Sequence, residues 1–584
     1  MKEAVLDWTG YHAVRAFARA VRMLPLAASC ALGRFLGRVA WWILARRRRV
    51  AYADLKAAFG TRYDAAGRRR LVRLHFEHMG LSLIELLRFP LLTRESVEHD
   101  IAIPELQRFY DAVHQDRGVV LLTAHFGNWE LLQIVSAIFG KPIHALMRDQ
   151  KFPRLNGLLN EFRRSRGSGV VSLGMGLRDL LRALRRRELI GVLGDQSAGK
   201  HQGLIVSFFG RKTTIPTGAF ELAGRTGCVL LPAFIIREKD MTHRIRLGEP
   251  VECPALAGDE EAYRPLVDAY VRTLELLIAA NPEQWLWAKK RWKYCWTKRI
   301  LILSDGKPGH FKQSEAVAEA FRAVTTQHGR PGMDYPMNRI EVEYRSSMHR
   351  LLFFFFGFFF HPWAQGRLSW LRFFLKPGCA SALEGAGADF VISSGSSLVP
   401  LNLCLARENR AKSAVVMKPP FPYNFLHYDL ALVPAHDTGR VPTEAVRTAL
   451  ALSSPRPESD ELFDLRSELR DPDSVKIAVF LGGPTREYGM RPETIRQLLA
   501  ILDEVPEGDY LVTASRRTPP AVNVLLDAAA HPKCQKMVLP FKDGRAGWVP
   551  AFLEMAKIVV VTEDSISMIS EARSEEHTSE LQSR

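Results

Sequence analysis

Cysteine is scarce in this chain of 584 residues, and the seven that occur form neither a Cys-x-x-Cys pair nor a cluster with histidine. The sequence therefore excludes a disulfide framework, and we expect reduced thiols and no metal site. Uninterrupted hydrophobic runs are also missing. The apolar stretch 18–45 is broken by Arg22, Pro25, Arg34 and Arg38, whereas a membrane-spanning helix needs ~20 predominantly apolar residues. We expect no spanning helix here.

Acidic residues are the minority among the charged ones: 63 Asp and Glu stand against 80 Lys and Arg, a formal net charge of +17. Such an excess favours polyanionic partners, which include nucleic acid, anionic membrane and phosphorylated ligands. No recognised nucleic-acid motif occurs, and the arginine runs lie among apolar helical segments. We therefore expect membrane lipids rather than nucleic acid as partners.

Two apolar segments have the composition of a membrane-surface anchor. Trp41 and Trp42 precede the run Arg46–Arg49, which predicts that residues 1–50 form an interfacial anchor with a basic edge. The alternative is a buried first helix followed by a solvated arginine run. The second segment, LLFFFFGFFFHPW at 351–363, is too short to span and is either part of a core or a second membrane-surface patch.

From residue 118 onward, short apolar strands alternate with helical segments, and this predicts an α/β fold. The strands are expected in GVVLLTA, PIHALM, ELIGVLGD and CVLLPAFII, and then in KRILILS, ADFVISS, KSAVVM, KIAVFL, GDYLVTA and KIVVV. We divide the chain into the anchor, an α/β sheet domain at 51–297, and two Rossmann-like halves at 298–460 and 461–572. Residues 573–584, RSEEHTSELQSR, resemble a translated sequencing adapter, so we expect a non-native tail and a truncated last half.

The stretch HFGNWE follows the strand at 118–124 directly, and it contains a histidine with an acid five positions later. On one regular helix that spacing leaves the two side chains about 140° apart. They meet only if His125 precedes the helix, Asn128 caps it, and Glu130 lies in its first turn. Glu130 would then orient the imidazole and leave its other nitrogen free as a general base. The alternative is a capped helix with a packed histidine.

Four further segments accompany HFGNWE: ALMRDQKFPRLN (145–156), GVLGDQ (191–196), VSFFGRKTTIPTGAFELAGRTG (206–227) and WLWAKKRWK (285–293). In this order the set resembles the lipid A late acyltransferases of the lauroyl/myristoyl type over residues 8–296. The resemblance implies transfer of a fatty acyl chain from a carrier thioester to a glycolipid hydroxyl. It implies that His125 is the base, that Glu130 orients it, and that Arg148 binds phosphate or stabilises the oxyanion.

The same resemblance implies substrate-binding roles beyond the histidine motif. Asp195 and Gln196 would shape the site, and Phe208, Phe209 and Gly210 would border the route of the acyl chain or its carrier. The alternatives are a surface arginine for Arg148, a turn former for Asp195, and plain core packing for the two phenylalanines.

The second half carries SDGKPGH (304–310), SSGSSLVPLN (393–402), FLGGPT (480–485), TASRRTP (513–519) and VTEDSISMISEA (561–572). These resemble the mitochondrial-fission-protein-like family, which is similar to two-domain nucleotide-sugar transferases of the GT-B type. The resemblance implies that the donor half binds a nucleotide sugar. The residues implied to contact it are Gly482, Gly483, Thr485, Ser515, Arg516, Arg517, Glu563, Asp564, Ser565 and Ser567. The alternative for each residue is an ordinary α/β turn.

These resemblances together predict an acyltransferase fused to a glycosyltransferase-like module on one envelope glycolipid pathway. We expect no bound cofactor: an acyl-carrier protein or coenzyme A thioester is the acyl donor, and a nucleotide sugar is the donor for the second module. We expect the cytoplasmic face of a bacterial inner membrane as the location. The alternative is an acyltransferase fused to a non-catalytic binding or recruitment module.

Overall fold

The computed structural model of the chain describes most of its length. Described are residues 2–147, 151–172, 176–196, 199, 203–255, 259–327, 332–435, 437, 439–448, 452, 475–484, 490, 493, 496–497, 500, 509–515, 518–522, 534–538, 548–562 and 569.

The helices of the described residues are α1 (Lys2–Met23), α2 (Leu26–Ile43), α3 (Ala45–Phe59), α4 (Ala65–Arg88), α5 (Arg94–Asp100), α6 (Leu106–Val113), α7 (Trp129–Ile138), α8 (Pro153–Arg164), α9 (Gly176–Arg185), α10 (Gly218–Thr226), α11 (Arg264–Ala280), α12 (Pro308–Gln327), α13 (Ser347–Phe360), α14 (Leu371–Phe374), α15 (Pro377–Gly385), α16 (Val399–Asn409) and α17 (Trp548–Met555). Short 3-10 turns include Pro282–Gln284, Arg291–Tyr294, His361–Trp363 and Leu368–Trp370.

The strands are β1 (Ile101–Ala102), β2 (Val119–Thr123), β3 (Ile143–Met147), β4 (Gly169–Ser172), β5 (Leu189–Leu193), β6 (Leu204–Phe208), β7 (Arg211–Ile215), β8 (Val229–Arg237), β9 (His243–Leu247), β10 (Val251–Glu252), β11 (Ile300–Ser304), β12 (Met337–Glu341), β13 (Phe390–Ser394), β14 (Lys412–Val416), β15 (Leu430–Pro434), β16 (Ala445–Thr448), β17 (Lys476–Leu481), β18 (Asp509–Ala514), β19 (Cys534–Val538) and β20 (Ala556–Val561). All ten strands predicted from the sequence form.

The first sheet has the order β1-β9-β8-β2-β5-β3-β4, with β10 paired to β8. Its central strands β8, β2, β5, β3 and β4 run parallel, while β9 and β10 are antiparallel to β8. The strands β6 and β7 form a separate antiparallel hairpin. The inner strand β2 is buried along its whole length, as expected when helices cover both faces of a parallel sheet.

The second half forms two further sheets, and the described pairs in both are parallel. One has the order β12-β11-β13-β14-β15-β16, and the other has the order β19-β18-β17-β20. The predicted α/β class with parallel sheets is therefore confirmed. In such sheets ligands bind beyond the carboxyl ends of the strands.

The first fifty residues are packed against the first sheet domain and do not form a separate unit. The Asp7 carboxylate of α1 accepts hydrogen bonds from the backbone N–H groups of Arg154 and Leu155 at the start of α8. Helix α2 crosses α4 so closely that a Cβ on Gly37 would lie 2.3 Å from the Phe76 carbonyl oxygen. The boundary predicted at residue 50 therefore falls inside a packed helical layer.

The described helices include none that is long and apolar enough to cross a membrane. The phenylalanine-rich segment forms the end of α13 and the turn His361–Trp363, and one face of α13 belongs to the core, as the first alternative predicted. Phe353 is fully buried against Trp370 and Phe374, while Phe355 and Phe359 are more than half exposed on the opposite face.

The two halves of the chain meet at a buried polar contact. Glu408 of α16 accepts hydrogen bonds from Tyr52 (3.0 Å) and Lys56 (3.2 Å) of α3, and Arg68 lies 3.9 Å away. Lys56 and Glu408 are each about 1% exposed. A second pair joins Arg211 to Asp389 at 2.6 Å. Because a buried charge is costly without its partner, these contacts hold the halves in one arrangement.

Candidate active site

The turn after β2 requires a glycine and is held by the tryptophan-rich segment that follows α11. Gly127 has φ +60°, and a Cβ there would lie 1.7 Å from the Ile235 carbonyl oxygen. Its N–H donates to the Gln284 carbonyl at 3.0 Å, and the Leu286 N–H donates to the His125 carbonyl at 3.0 Å. The turn predicted at residues 125–127 therefore forms, and its backbone is fixed from two sides.

The imidazole of His125 is oriented by Asp195. The Nδ1–H of His125 donates to Oδ1 of Asp195 at 2.7 Å, and the Trp285 indole N–H donates to Oδ2 at 2.8 Å. Asp195 is 3% exposed, so both carboxylate oxygens are satisfied inside the protein. The arrangement leaves Nε2 as the basic nitrogen of the ring.

The Nε2 atom of His125 faces the outer edge of the site. The side-chain amide of Gln196 donates to it at 2.9 Å, and Gln196 itself is exposed. The Trp129 ring packs against the imidazole with centroids 5.1 Å apart. A substrate hydroxyl would therefore reach Nε2 by taking the place of the glutamine amide.

The charge state of Asp195 follows from these contacts. Burial alone would raise the pKa of its carboxyl, but the adjacent imidazole and the hydrogen bonds from His125 and Trp285 outweigh burial and lower the pKa to about 2. The carboxylate is thus ionised at neutral pH. It can stabilise an imidazolium that forms when His125 accepts a proton.

The predicted contact between His125 and Glu130 does not form. His125 precedes α7 and Glu130 lies in its first turn, as predicted, but the Glu130 side chain points toward α8. There the Arg163 guanidinium donates two hydrogen bonds to its carboxylate, at 2.7 and 2.8 Å. Such bidentate pairs are among the stronger hydrogen-bonded contacts in proteins. Glu130 therefore joins α7 to α8, and Asp195 takes the predicted orienting position.

Asn128 occupies the predicted N-cap position without making a side-chain cap. Its amide donates to the Glu85 carboxylate instead, at 2.5 Å. Arg237 also donates to Glu85, and His78 contacts the Gly127 carbonyl at 3.1 Å. Burial would raise the pKa of Glu85, but Arg237 and His243 hold it well below its usual range. This buried network supports the turn from beneath.

Phe208, Phe209 and Gly210 lie at the hairpin between β6 and β7. Phe208 is fully buried against Trp285, so it lies beneath the site and does not border an open route for the acyl chain. Phe209 and Gly210 form the two-residue turn, with φ +49° and +66°. Positive φ at both positions is the usual geometry of a tight hairpin.

A second histidine–carboxylate pair lies at the carboxyl end of β11 in the second half. His310 Nδ1 is 3.0 and 3.1 Å from the two carboxylate oxygens of Asp305. Gly395, which has φ +96°, follows the neighbouring strand β13, and a Cβ there would lie 2.7 Å from His310 Nδ1. The pair was not predicted, although both of its residues stand within SDGKPGH.

Three of the residues predicted for the donor half lie beyond β17 and β18. The Gly482 N–H donates to the Thr562 hydroxyl at 2.7 Å and is therefore already engaged, while Gly483 follows it at the same buried edge. The Thr518 hydroxyl donates to the Gly482 carbonyl and lies 3.4 Å from the Ser515 hydroxyl. Thr518 and Thr562 were not predicted.

Several predicted residues lie outside the described part of the chain, namely Arg148, Thr485, Arg516, Arg517, Glu563, Asp564, Ser565 and Ser567. Their roles stay predictions.

Two family matches divide the chain between them. Residues 2–294, half of the chain, match the family described as bacterial lipid A biosynthesis acyltransferase. Residues 308–577 match the family described as mitochondrial fission ELM1.

Similar curated proteins are all acyltransferases. A lipid A biosynthesis palmitoleoyltransferase of Escherichia coli (strain K12) is 26% identical over 275 residues, 46% of this chain and 86% of that protein. A lipid A biosynthesis lauroyltransferase of the same strain is 24% identical over 276 residues, 47% of this chain and 88% of that protein. A phosphatidylinositol mannoside acyltransferase of Mycolicibacterium smegmatis is 26% identical over 215 residues, 36% of this chain and 67% of that protein.

Among solved structures, the spinosyn rhamnosyltransferase SpnG has a TM-score of 0.26 at 12% identity, covering 47% of this chain and 78% of its own. A complex of Staphylococcus aureus MnaA with UDP has a TM-score of 0.25 at 14% identity, covering 47% and 77%.

Proposed function

Because this chain belongs through residues 2–294 to the bacterial lipid A biosynthesis acyltransferase family, we propose that it transfers a fatty acyl chain to a hydroxyl of a glycolipid. His125 is the proposed general base of this transfer. The observation that carries the proposal is the orientation of His125 by Asp195, whose second oxygen is held by Trp285. Among the described residues, the side chains hydrogen-bonded to His125 and Asp195 are Gln196 and Trp285, and neither is a nucleophile, so we propose that the attacking oxygen comes from the acceptor.

The proposed reaction is a direct transfer between two substrates. The acceptor hydroxyl replaces the Gln196 amide at His125 Nε2 and loses its proton there as its oxygen attacks the thioester carbonyl carbon. A carbon–oxygen bond forms, a tetrahedral oxyanion develops, and the carbon–sulfur bond then breaks. The imidazolium, stabilised by Asp195, returns the proton to the departing sulfur. Arg148 remains the proposed stabiliser of the oxyanion.

The donor and the location are part of the same proposal. An acyl-carrier protein or coenzyme A thioester is the proposed acyl donor, and the acceptor is a lipid A-like or other phosphorylated glycolipid. The net charge of +17 supports a place at an anionic surface, for which we propose the cytoplasmic face of a bacterial inner membrane. The relatives named above are acyltransferases of lipid A biosynthesis and a phosphatidylinositol mannoside acyltransferase, which supports a glycolipid acceptor.

The test is acyl transfer from a labelled acyl-carrier thioester into a bacterial glycolipid extract. His125→Ala is expected to slow transfer by roughly two to four orders of magnitude. His99→Ala is the matched control, because that side chain is 86% exposed and is hydrogen-bonded to its neighbour Asp100. Circular dichroism checks the fold of both variants. Equal rates for wild type and His125→Ala would refute the role of the base.

For the second module we propose sugar transfer, on the basis of the pair His310–Asp305. His310 would accept the proton of an acceptor hydroxyl as the hydroxyl oxygen attacks the anomeric carbon of a nucleotide sugar. The bond from that carbon to the diphosphate breaks, and the nucleoside diphosphate leaves. The alternative proposal remains a binding or recruitment module.

A panel of nucleotide sugars distinguishes these two proposals. Release of nucleoside diphosphate with wild type, lost in His310→Ala and retained in His427→Ala, supports transfer; His427 is an exposed histidine on the same module. Binding of a glycolipid without any release of nucleoside diphosphate supports the recruitment module.

A further inference from the structure

A basic cleft lies at the seam between the two halves of the chain. Its volume is about 780 Å³, and it lies between α2 and α4 on one side and residues 367–369 of the second half on the other. The arginines that line it are Arg38, Arg69, Arg70, Arg73 and Arg367, with the Trp41 ring beside them. The cleft is complete only when both halves are present, because Arg367 comes from the second.

The charges in the cleft are far from balanced. Glu77 is the one acid among its described lining residues, and it already pairs with Arg38 at 2.8 Å and Arg73 at 3.2 Å. The ion pairs among the described lining residues are those two, and neither includes Arg69, Arg70 or Arg367. Guanidinium groups held together in this way repel one another and suit a phosphate, which they can bind with two hydrogen bonds each.

Exposed apolar side chains lie close in sequence to the residues that line the cleft in both halves. From Trp41 the chain continues to Trp42 and Ile43, each 72% exposed. In the second half, Trp363 and Phe359 precede Arg367 by four and eight residues and are 59% and 63% exposed. Solvated tryptophans and phenylalanines beside a cationic cleft have the composition of a surface that inserts into the interface of a lipid layer.

The two sides of the cleft are joined by direct contacts. The Gln365 amide of the second half donates to the Arg49 carbonyl of the first at 3.1 Å. A Cβ on Gly366 would lie 3.2 Å from the Arg69 side chain, so the second half passes tightly over α4. The second half is therefore packed directly beside the arginines of α4.

We propose that this cleft binds the phosphate headgroup of an anionic membrane phospholipid, while the bordering aromatic side chains enter the lipid layer. This proposal extends the membrane location given under the proposed function. It rests on that location, because the location is the reason for choosing a lipid as the source of the phosphate. It gives the fusion a physical consequence, since one headgroup is held by arginines from both modules. His78 of α4 contacts the Gly127 carbonyl in the turn that carries His125, so the helix that lines the cleft also reaches the acyltransferase site.

The test is co-sedimentation of the full chain with vesicles of phosphatidylcholine alone or with added phosphatidylglycerol. The variant carries Arg69→Gln, Arg70→Gln and Arg367→Gln together, and the matched control carries Arg178→Gln, Arg182→Gln and Arg185→Gln on α9, which changes the net charge equally. The cleft variant is expected to lose roughly one hundred-fold in affinity for the anionic vesicles. The control is expected to lose much less. Equal losses in the two variants would overturn the proposal.

Two further arms identify the ligand. Phe359→Ser with Trp363→Ser is expected to weaken binding to both kinds of vesicle. Soluble inorganic phosphate is expected to leave vesicle binding nearly unchanged at millimolar concentration; full competition by it would mean a site for free phosphate and would overturn the lipid. If the cleft variant lost binding to an acidic carrier protein while it still bound vesicles, that result would also overturn the proposal of a lipid ligand.

The outcome is independent of the acyl-transfer chemistry. His125→Ala is expected to bind vesicles like wild type. Normal vesicle binding without acyl transfer by wild type would therefore count against the proposed function alone, and acyl transfer without cleft-dependent binding would count against the cleft alone.

Discussion

His125 and Asp195 lie the same number of residues beyond the carboxyl ends of two neighbouring parallel strands, β2 and β5. The register of β2 and β5 pairs Thr123 with Leu193, and each functional side chain lies two residues further on. Adjacent carboxyl ends thus deliver the imidazole and its carboxylate to one point, where they meet at 2.7 Å. The pairing is a property of the sheet and not of the motif around His125.

Replacing Asp195 with asparagine is the direct test of this relationship. Asparagine keeps the shape but removes the charge that stabilises the imidazolium, so we expect the transfer rate to fall by roughly two to four orders of magnitude with little change in KM for the thioester. Steady-state kinetics of acyl transfer measure both constants. A rate within a factor of a few of wild type would show that another group orients His125.

Gly127→Ala tests the close approach of the turn to β8. The added Cβ would meet the Ile235 carbonyl oxygen at 1.7 Å, so we expect loss of transfer and a lower melting temperature. Gly140→Ala is the matched control: it also has positive φ, but nothing lies within 4 Å of its Cβ. The control should cost only the left-handed strain of about 1–2 kcal/mol. Similar stabilities for the two variants would contradict the contact.

The strands that were predictable are those with a continuous apolar run. VVLLT and ILILS are buried along their whole length, and such runs end in turns that mark their boundaries. The strand HRIRL alternates charged with apolar residues over only five positions, and the hairpin at VSFFGRKTT was taken for a binding motif. Both were missed because pairing with a neighbour, more than composition, makes them strands.

The site was predictable only in part, for a similar reason. HFGNWE predicted a histidine on a turn before a helix, and GVLGDQ placed Asp195 after a strand. Joining the two requires knowing that β5 neighbours β2, while β3 and β4 lie further out. Strand order is a long-range property, so local spacing favoured Glu130, the nearer acid. The support from Trp285 comes from still further along the chain.

Glu408→Gln tests how firmly the two halves are joined. Removing this charge leaves the buried ammonium of Lys56 without its carboxylate, and we expect a loss of about 3–5 kcal/mol in the free energy of unfolding. Adding Lys56→Met to the variant should recover part of the loss. Denaturant unfolding of the full chain measures both. A single variant as stable as wild type would mean that the contact contributes nothing to the seam.

The pH dependence of stability is expected to carry the signature of Asp195. Its pKa of about 2 in the folded protein lies below the ordinary value of 3.8, so its ionisation stabilises the fold above about pH 4. That contribution, about 2 kcal/mol, is lost as pH falls from about 4 to 2. The difference in unfolding free energy between wild type and Asp195→Asn should shrink over that window. A constant difference would contradict the lowered pKa.

Glu130→Gln separates the two carboxylates that could have served His125. In the structure Glu130 is bound to Arg163, so the variant should lower stability by about 1–3 kcal/mol, the loss expected of a charged hydrogen-bonded pair. Its transfer rate per folded molecule should fall far less than that of Asp195→Asn. Arg163→Met should reproduce the loss of stability, because it breaks the same pair from the other side. If Glu130→Gln instead abolished transfer while Arg163→Met left the rate unchanged, the acid of HFGNWE would have a chemical role that its contact with α8 does not explain.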